Sequence, residues 1–210
     1  MAMIYVLNEF ALQLNPYLCD EIHKFRHEVF VERLGWAALD SPDGREVDQF
    51  DDENALHIVD LVYDQVRGYS RLLPTERPHL LSHIYPEILQ GRASPRARTT
   101  YEWTRLGVIG GGEKERGSSI RRMMAAIPEI CTELGLQSLI AQANPLWMRR
   151  LIKLGWQVEA LAPPVVYSGE MVVAFEAHVI SNTVATSSRV LRMRNSVDLS
   201  WAACGIPLAS

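Results

Sequence analysis

Cysteine is scarce in this chain. Cys19, Cys131 and Cys204 are the only three in 210 residues, and no C-x-x-C pair occurs among them. A disulfide-stapled scaffold and a four-cysteine zinc module are therefore excluded, and the three read as free thiols, mostly packing residues. The six histidines read as isolated residues, so no metal site is expected. Long apolar runs are missing too, since no stretch approaches the roughly 18 apolar residues of a spanning helix. Met1 to Leu14 lacks a cationic segment followed by an apolar core, which predicts no secretory leader and a cytoplasmic location. A formal charge of −4 gives no overall field toward nucleic acid or an anionic membrane, so neither is expected as a partner and any basic function must be local. There is no G-x-S-x-G nucleophile elbow, no Walker A ending and no dinucleotide fingerprint.

What is present suits one folded core: 48% of residues are hydrophobic and 22% charged. One catalytic domain over 1–210 is expected, with the tail after about 180 unassigned. Ile4 to Leu7 is β-prone. Leu18, Ile22, Phe25, Val29 and Phe30 recur near helical spacing and predict an amphipathic helix from about Pro16 to Leu34. Gly35 to Asp52 is acidic and turn-rich, a long loop of the kind that carries function. Ala55 to Leu61 and Val66 to Leu72 read as a hairpin, Ile84 to Leu89 as a short helix, and Thr99 to Ile109 as a strand. After Gly110-Gly111-Gly112, Ser118 or Ser119 is expected to cap a helix reaching Leu134, kinked or broken at Pro128. Gln137 to Ala143 predicts a strand, Pro145 to Leu154 a helix ended by Gly155, and Val165 to Val166 and Met171 to Ala177 late strands. Interleaved helices and strands indicate a mixed α/β sheet flanked by helices.

Four clusters stand in order: Arg26-xxx-Phe30-xxxxx-Trp36; Asp48-x-Phe50-Asp51; Gly68-Tyr69-Ser70-Arg71-Leu72-Leu73-Pro74-Thr75; and Tyr101-Glu102-Trp103-Thr104-Arg105. Together they strongly resemble the LuxI-type autoinducer synthases, over roughly residues 4 to 160. The resemblance implies a single-domain acetyltransferase-like (GNAT-like) fold. It also implies an acyl-homoserine-lactone synthase, which moves an acyl group from a thioester to the amine of S-adenosylmethionine and then closes a lactone with release of methylthioadenosine. Both molecules are then substrates, and no cofactor is implied. By the same resemblance Arg26, Phe30 and Trp36 are nucleotide-pocket positions, Trp103 borders the acyl group, and Tyr85 and Gln142 join the substrate-binding set, Gln142 by a weaker transfer of position.

The residue types suit that chemistry. S-adenosylmethionine brings an ammonium, a carboxylate and a sulfonium, which call for carboxylates, an arginine and an aromatic face. Arg26 either pairs with the substrate carboxylate or locks Asp48 and Asp51. Phe30 and Trp36 either face the adenosyl group or only pack the core. Arg71 and Arg105 lie in predicted strands, where an unpaired charge is costly, so Asp48, Asp51 and Glu102 are expected as their partners. Glu102 is read as an amine anchor, or as a base acting through water; Thr104 is read as a hydrogen-bonding group for the acyl carbonyl or the amine. Gly110 to Ser119 either offers amides to a phosphate or is a plain loop. Arg116, Arg121, Arg122, Arg149, Arg150 and Lys153 are expected to form a basic patch suited to an acyl-carrier protein or to coenzyme A phosphates. The competing readings are a generic acyl-CoA-dependent N-acyltransferase and a non-catalytic signal-binding module.

Overall fold

The computed structural model describes residues 2–110, 112–193 and 197–199. The free-thiol reading of Cys204, and Gly111 of the glycine run, lie outside the described residues.

Asparagines start the first two helices. After β1 (Ala2–Leu7), Asn8 Oδ1 accepts the Ala11 amide at 2.9 Å and opens α1 (Glu9–Leu14). Asn15 does the same for Leu18 at 3.1 Å, and Pro16, with no amide to satisfy, occupies the first turn of α2 (Pro16–Arg26). The expected helix to Leu34 is not continuous α-helix: from His27 to Arg33 the chain winds as a wider π-helical turn. That turn lays Val29 and Phe30 against Gly107, where a Cβ would stand 2.7 Å from Val29 Cγ1. The loop that follows contains a 3-10 turn, Ala37–Leu39.

Further along, β2 (Leu56–Val62) and β3 (Gln65–Pro74) form the expected hairpin. The short helix falls earlier than expected, as α3 (Leu80–His83), with a 3-10 turn over Pro86–Leu89. It is followed by β4 (Thr100–Val108) and α4 (Glu113–Glu133). Neither Ser118 nor Ser119 caps α4, which begins at Glu113 and runs unbroken through Pro128. The remaining elements are β5 (Ser138–Ala143), α5 (Leu146–Lys153), β6 (Gln157–Ala160), β7 (Val165–Tyr167), β8 (Glu170–His178), α6 (Thr183–Leu191) and β9 (Val197–Asp198). Strand β6 and helix α6 have no counterpart in the sequence reading.

The described residues group into two compact units, one of 2–72, 104–110, 112–126 and 197–199, the other of 73–103 and 127–193. In the first, β1 pairs antiparallel with β2 and parallel with β9, and β2 pairs antiparallel with β3. Leu7, Ala11, Leu12, Ile22, Phe25, Val29 and Phe30 pack with Val59, Val66 and Tyr69 as the core of that unit. In the second, residues 100–102 of β4 run parallel to β5, and β8 pairs antiparallel with β5, β6 and β7. Its apolar cluster joins Leu81, Ile88 and Leu89 to Ile140 and Ala174. The architecture is mixed α/β, as expected, with helices against a mixed sheet. Among the described residues no helix is long and apolar enough to cross a membrane.

Candidate active site

Three arginines and three carboxylates of the first unit close a ring. Arg26, at the end of α2, gives Nε to Glu46 Oε2 at 2.6 Å and Nη1 to Asp51 Oδ1 at 2.8 Å. Arg71 on β3 gives Nη1 to the same Asp51 oxygen at 2.6 Å and forks onto Asp48 at 2.7 and 2.9 Å. Arg105 on β4 completes the circuit, reaching Asp48 Oδ2 at 3.0 Å and Glu46 Oε1 at 3.1 Å. Each arginine meets two carboxylates and each carboxylate two arginines, so the ring is neutral although it is almost wholly buried. Fixed, paired charges of this kind avoid the cost of an isolated buried ion.

The electrostatics follow from the pairing. Burial alone would raise the pKa of Asp51, but Arg26 and Arg71 outweigh it and hold the group far below the usual carboxylate range. Asp48 and Glu46 are also held low against burial, chiefly by Arg71 in the first case and by Arg26 and Arg105 in the second. His57 lies directly across from Arg71 in the β2–β3 register, and its Nδ1 is 2.8 Å from Tyr69 Oη. Burial, helped by Arg26 and Arg71 and opposed by Asp51, pushes its pKa down to about 3, so the imidazole stays neutral. Two buried nitrogens here, Arg26 Nη2 and His57 Nε2, have no hydrogen-bond partner among the described residues.

An aromatic pair adjoins the ring. Phe30 and Trp36 stack with centroids 5.2 Å apart, and the Arg105 guanidinium lies 5.6 Å from each ring centre. Phe30 is buried, whereas Trp36 remains 44% exposed. Arg105 itself adopts a left-handed φ of 56°, costly for a non-glycine residue and tolerated where surrounding contacts fix it. Thr104 Oγ1 accepts Arg71 Nε at 3.3 Å, which leaves the hydroxyl proton able to donate.

The structure thus brings together Arg26, Phe30, Trp36, Asp48, Asp51, Arg71, Thr104 and Arg105. Arg26 meets Asp51 as the locking role expects, and Glu46 in place of Asp48. The third carboxylate of the ring is Glu46, where Glu102 had been expected. Glu46 stands two residues before Asp48 on the acidic loop, a spacing that puts both on one side of an extended chain and was the available signal.

Glu102, Trp103, Tyr85 and Gln142 belong to the second unit. Both carboxylate oxygens of Glu102 are engaged by α3, Oε2 accepting the Leu80 amide at 2.8 Å and Oε1 the Leu81 amide at 2.7 Å. Trp103 is buried and stacks on Trp156 at 6.5 Å. Tyr85 meets Tyr167 edge-on at 5.6 Å, and Gln142 has a buried, unpartnered Oε1.

Not every expectation for the charged and ligating residues holds. Arg122 is not part of a free basic surface, because its guanidinium forks onto the buried Asp60 at 2.9 and 2.6 Å. Arg116 donates to the Gly110 carbonyl at 3.4 Å, and Arg150 covers Trp147 at 5.0 Å. The sequence also carries three i,i+4 spacings, Cys19/His23, His23/His27 and His79/His83, that the reading of isolated histidines passes over. His79 of the His79/His83 pair is bonded to the Arg77 carbonyl and to Ser94, and Cys19 Sγ lies 4.0 Å from His23. Glu159, Glu176 and His178 bring potential ligand atoms within 4.8 Å of one another. They already satisfy each other and Ser138, with His178 Nε2 3.1 Å from Glu159 and Ser138 donating to Glu176 at 2.5 Å.

Comparison with known proteins identifies the family. The family model for autoinducer synthase matches residues 9–187. An isovaleryl-homoserine lactone synthase of Bradyrhizobium diazoefficiens is 31% identical over 162 residues, covering 77% of this chain and 73% of that protein. An acyl-homoserine-lactone synthase of Ralstonia nicotianae is 30% identical, with 77% and 82% covered. A CoA-dependent acyl-homoserine lactone synthase solved with SAM and isopentyl-CoA superposes with a TM-score of 0.86 at 28% identity, covering 94% of this chain and 93% of that one. An N-acetyltransferase from Lactobacillus plantarum shares the fold at a TM-score of 0.52 and 18% identity. On the family model and these relatives, the chain belongs to the autoinducer synthase family.

Proposed function

We propose that this chain is an acyl-homoserine-lactone synthase whose amine substrate, S-adenosylmethionine, is held at the ring of Arg26, Glu46, Arg105, Asp48, Arg71 and Asp51. The observation that carries this reading is the closed ring beside a half-exposed Trp36. A preorganised array spends nothing on reorganisation, and the open indole face suits the adenosyl group or the sulfonium. Asp48, the most accessible of the three carboxylates, takes the ammonium at the edge of the ring.

In the first step the neutral amine attacks the thioester carbonyl. The N–C bond forms, the C–S bond breaks, and the thiol leaves with one of the two protons that the ammonium gives up, the other passing to solvent. Thr104, with its oxygen fixed by Arg71, donates its proton toward the carbonyl oxygen as negative charge builds there. In the second step a methionyl carboxylate oxygen attacks the carbon beside the sulfonium. The lactone closes and methylthioadenosine departs as a neutral thioether. Orientation matters more than acid–base help in that displacement.

The acyl donor is a coenzyme A thioester, and the acyl group is short, branched or aryl rather than long and linear. Support comes from the buried Trp103–Trp156 stack, which occupies volume that a long chain would need, and from the isovaleryl and isopentyl-CoA relatives. No bound redox cofactor takes part, since neither step changes an oxidation state. The chain works as one catalytic domain in the cytoplasm. Turnover on matched long linear, branched short and aryl thioesters, each on coenzyme A and on acyl-carrier protein, tests this reading. Faster reaction of a long linear carrier-protein substrate would overturn the assignment of donor and size.

A further inference from the structure

Glu102 is wholly buried, and hydrogen bonds accepted by both of its oxygens favour its ionised form. The donors are the consecutive Leu80 and Leu81 amides at 2.8 and 2.7 Å, two of the first-turn amides that a helix leaves without an internal partner. A second clasp holds the same turn: the His79 amide donates to Ser82 Oγ at 3.1 Å, and Ser82 Oγ donates back to the His79 carbonyl at 3.0 Å. Beyond the clasp, Leu81 packs fully buried against Ile88, Leu89, Ile140 and Ala174, with Tyr85 and Tyr167 at the margin of that cluster.

From this arrangement we infer that Glu102 is a positioning residue for the acyl side of the reaction, not the base that deprotonates the amine. Taking up a proton would replace two charge-assisted bonds to these amides by the weaker bonds that a neutral carboxyl accepts. The geometry therefore opposes the protonation that a base must undergo. What the carboxylate does instead is pin β4 to α3 and so fix Leu81 and the apolar cluster around it. The proton of the substrate ammonium passes to water. The inference rests on the reading of the chain as an acyl-homoserine-lactone synthase.

Two variants of the full chain test it. Glu102→Gln keeps a carbonyl for one amide and deprives the other. Ser82→Ala loosens the same turn without touching Glu102. Amide hydrogen exchange is measured at Leu80 and Leu81 in the free protein, and the pH dependence of turnover and the KM of each substrate are measured with S-adenosylmethionine and a coenzyme A thioester. Exchange at the two amides is expected to speed up roughly tenfold or more in Glu102→Gln, as for the loss of a hydrogen bond to a charged group. Both variants should raise the KM for the thioester several-fold more than that for S-adenosylmethionine, and both should keep the acidic limb of the parent pH profile. Loss of that limb in Glu102→Gln, with Ser82→Ala behaving as the parent, would overturn the inference. Unchanged exchange at Leu80 and Leu81 in Glu102→Gln would also overturn it. Failure of the parent to release methylthioadenosine would instead refute the reading on which the inference rests, and the exchange measurement stands independently of it.

Discussion

Arg71 joins the ring to the reacting threonine, since it forks onto Asp48, shares Asp51 with Arg26 and supports Thr104. Truncating it leaves Asp48 with Arg105 alone, Asp51 with Arg26 alone, and the buried ring with one uncompensated negative charge. Arg71→Ala should therefore lose about 3–5 kcal/mol of stability together with nearly all turnover, as read by urea unfolding and product formation. Arg71→Lys keeps the charge but not the fork, and should fall between the parent and the alanine variant in both measurements. Trp36 is the opposite case. Because it is half-exposed, Trp36→Ala should leave the unfolding midpoint close to that of the parent while raising the KM for S-adenosylmethionine by roughly tenfold, in the range expected for loss of a cation–π contact. An unchanged KM would assign Trp36 to packing against Phe30 alone.

At the scale of elements, the π-helical turn His27–Arg33 is what brings Phe30 to the site, and it needs Gly107. Gly107→Val places a branched side chain where even a Cβ would be 2.7 Å from Val29 Cγ1, so it should cost about 1–3 kcal/mol or more by overpacking. A Phe30-dependent rise in KM should accompany it, measurable in the same turnover assay. The sequence made the hairpin, β4, β5 and the apolar face of α2 legible, because the strands are short, largely apolar runs and the helix face repeats near 3.6. It did not reveal the π-helical turn, since Val29 and Phe30 satisfy α-helical spacing equally well and the widening depends on the partner at Gly107. The start of α4 was hidden for a similar reason: Ser118 is a good capping type, but Ser118 Oγ instead donates to the Lys114 carbonyl inside the helix. In the site, the motifs named Arg26, Asp48, Asp51, Arg71 and Arg105, yet they could not say which carboxylate each arginine meets. That pairing places Glu46 in the ring and Glu102 on α3; the spacing of Glu46 and Asp48 points to the first, but which arginine each carboxylate meets depends on long-range geometry.

For the whole molecule, the buried charges make stability depend on pH in a defined direction. Glu46, Asp48 and Asp51 have folded pKa values below their ordinary values of 4.5, 3.8 and 3.8. Their contribution is complete above those ordinary values and is lost as pH falls through the lower folded ones. His57 acts at higher pH. Its ordinary value is 6.5 and its folded value about 3, so between these the unfolded chain binds the proton and the folded chain does not, and stability falls as pH drops through that window. The melting temperature of the parent minus that of His57→Gln should therefore decrease from pH 7 to pH 4. A constant difference would show that His57 titrates alike in both states.

The central claim is that one chain both acylates S-adenosylmethionine and closes the lactone. Its most direct test is mass-spectrometric analysis of a reaction containing the protein, S-adenosylmethionine and a branched short-chain acyl-CoA, following all products together. The expected result is acyl-homoserine lactone, methylthioadenosine and free coenzyme A in equal amounts. Release of coenzyme A with accumulation of open-chain acylated S-adenosylmethionine, or acylation of other amines while S-adenosylmethionine is left unconsumed, would contradict it.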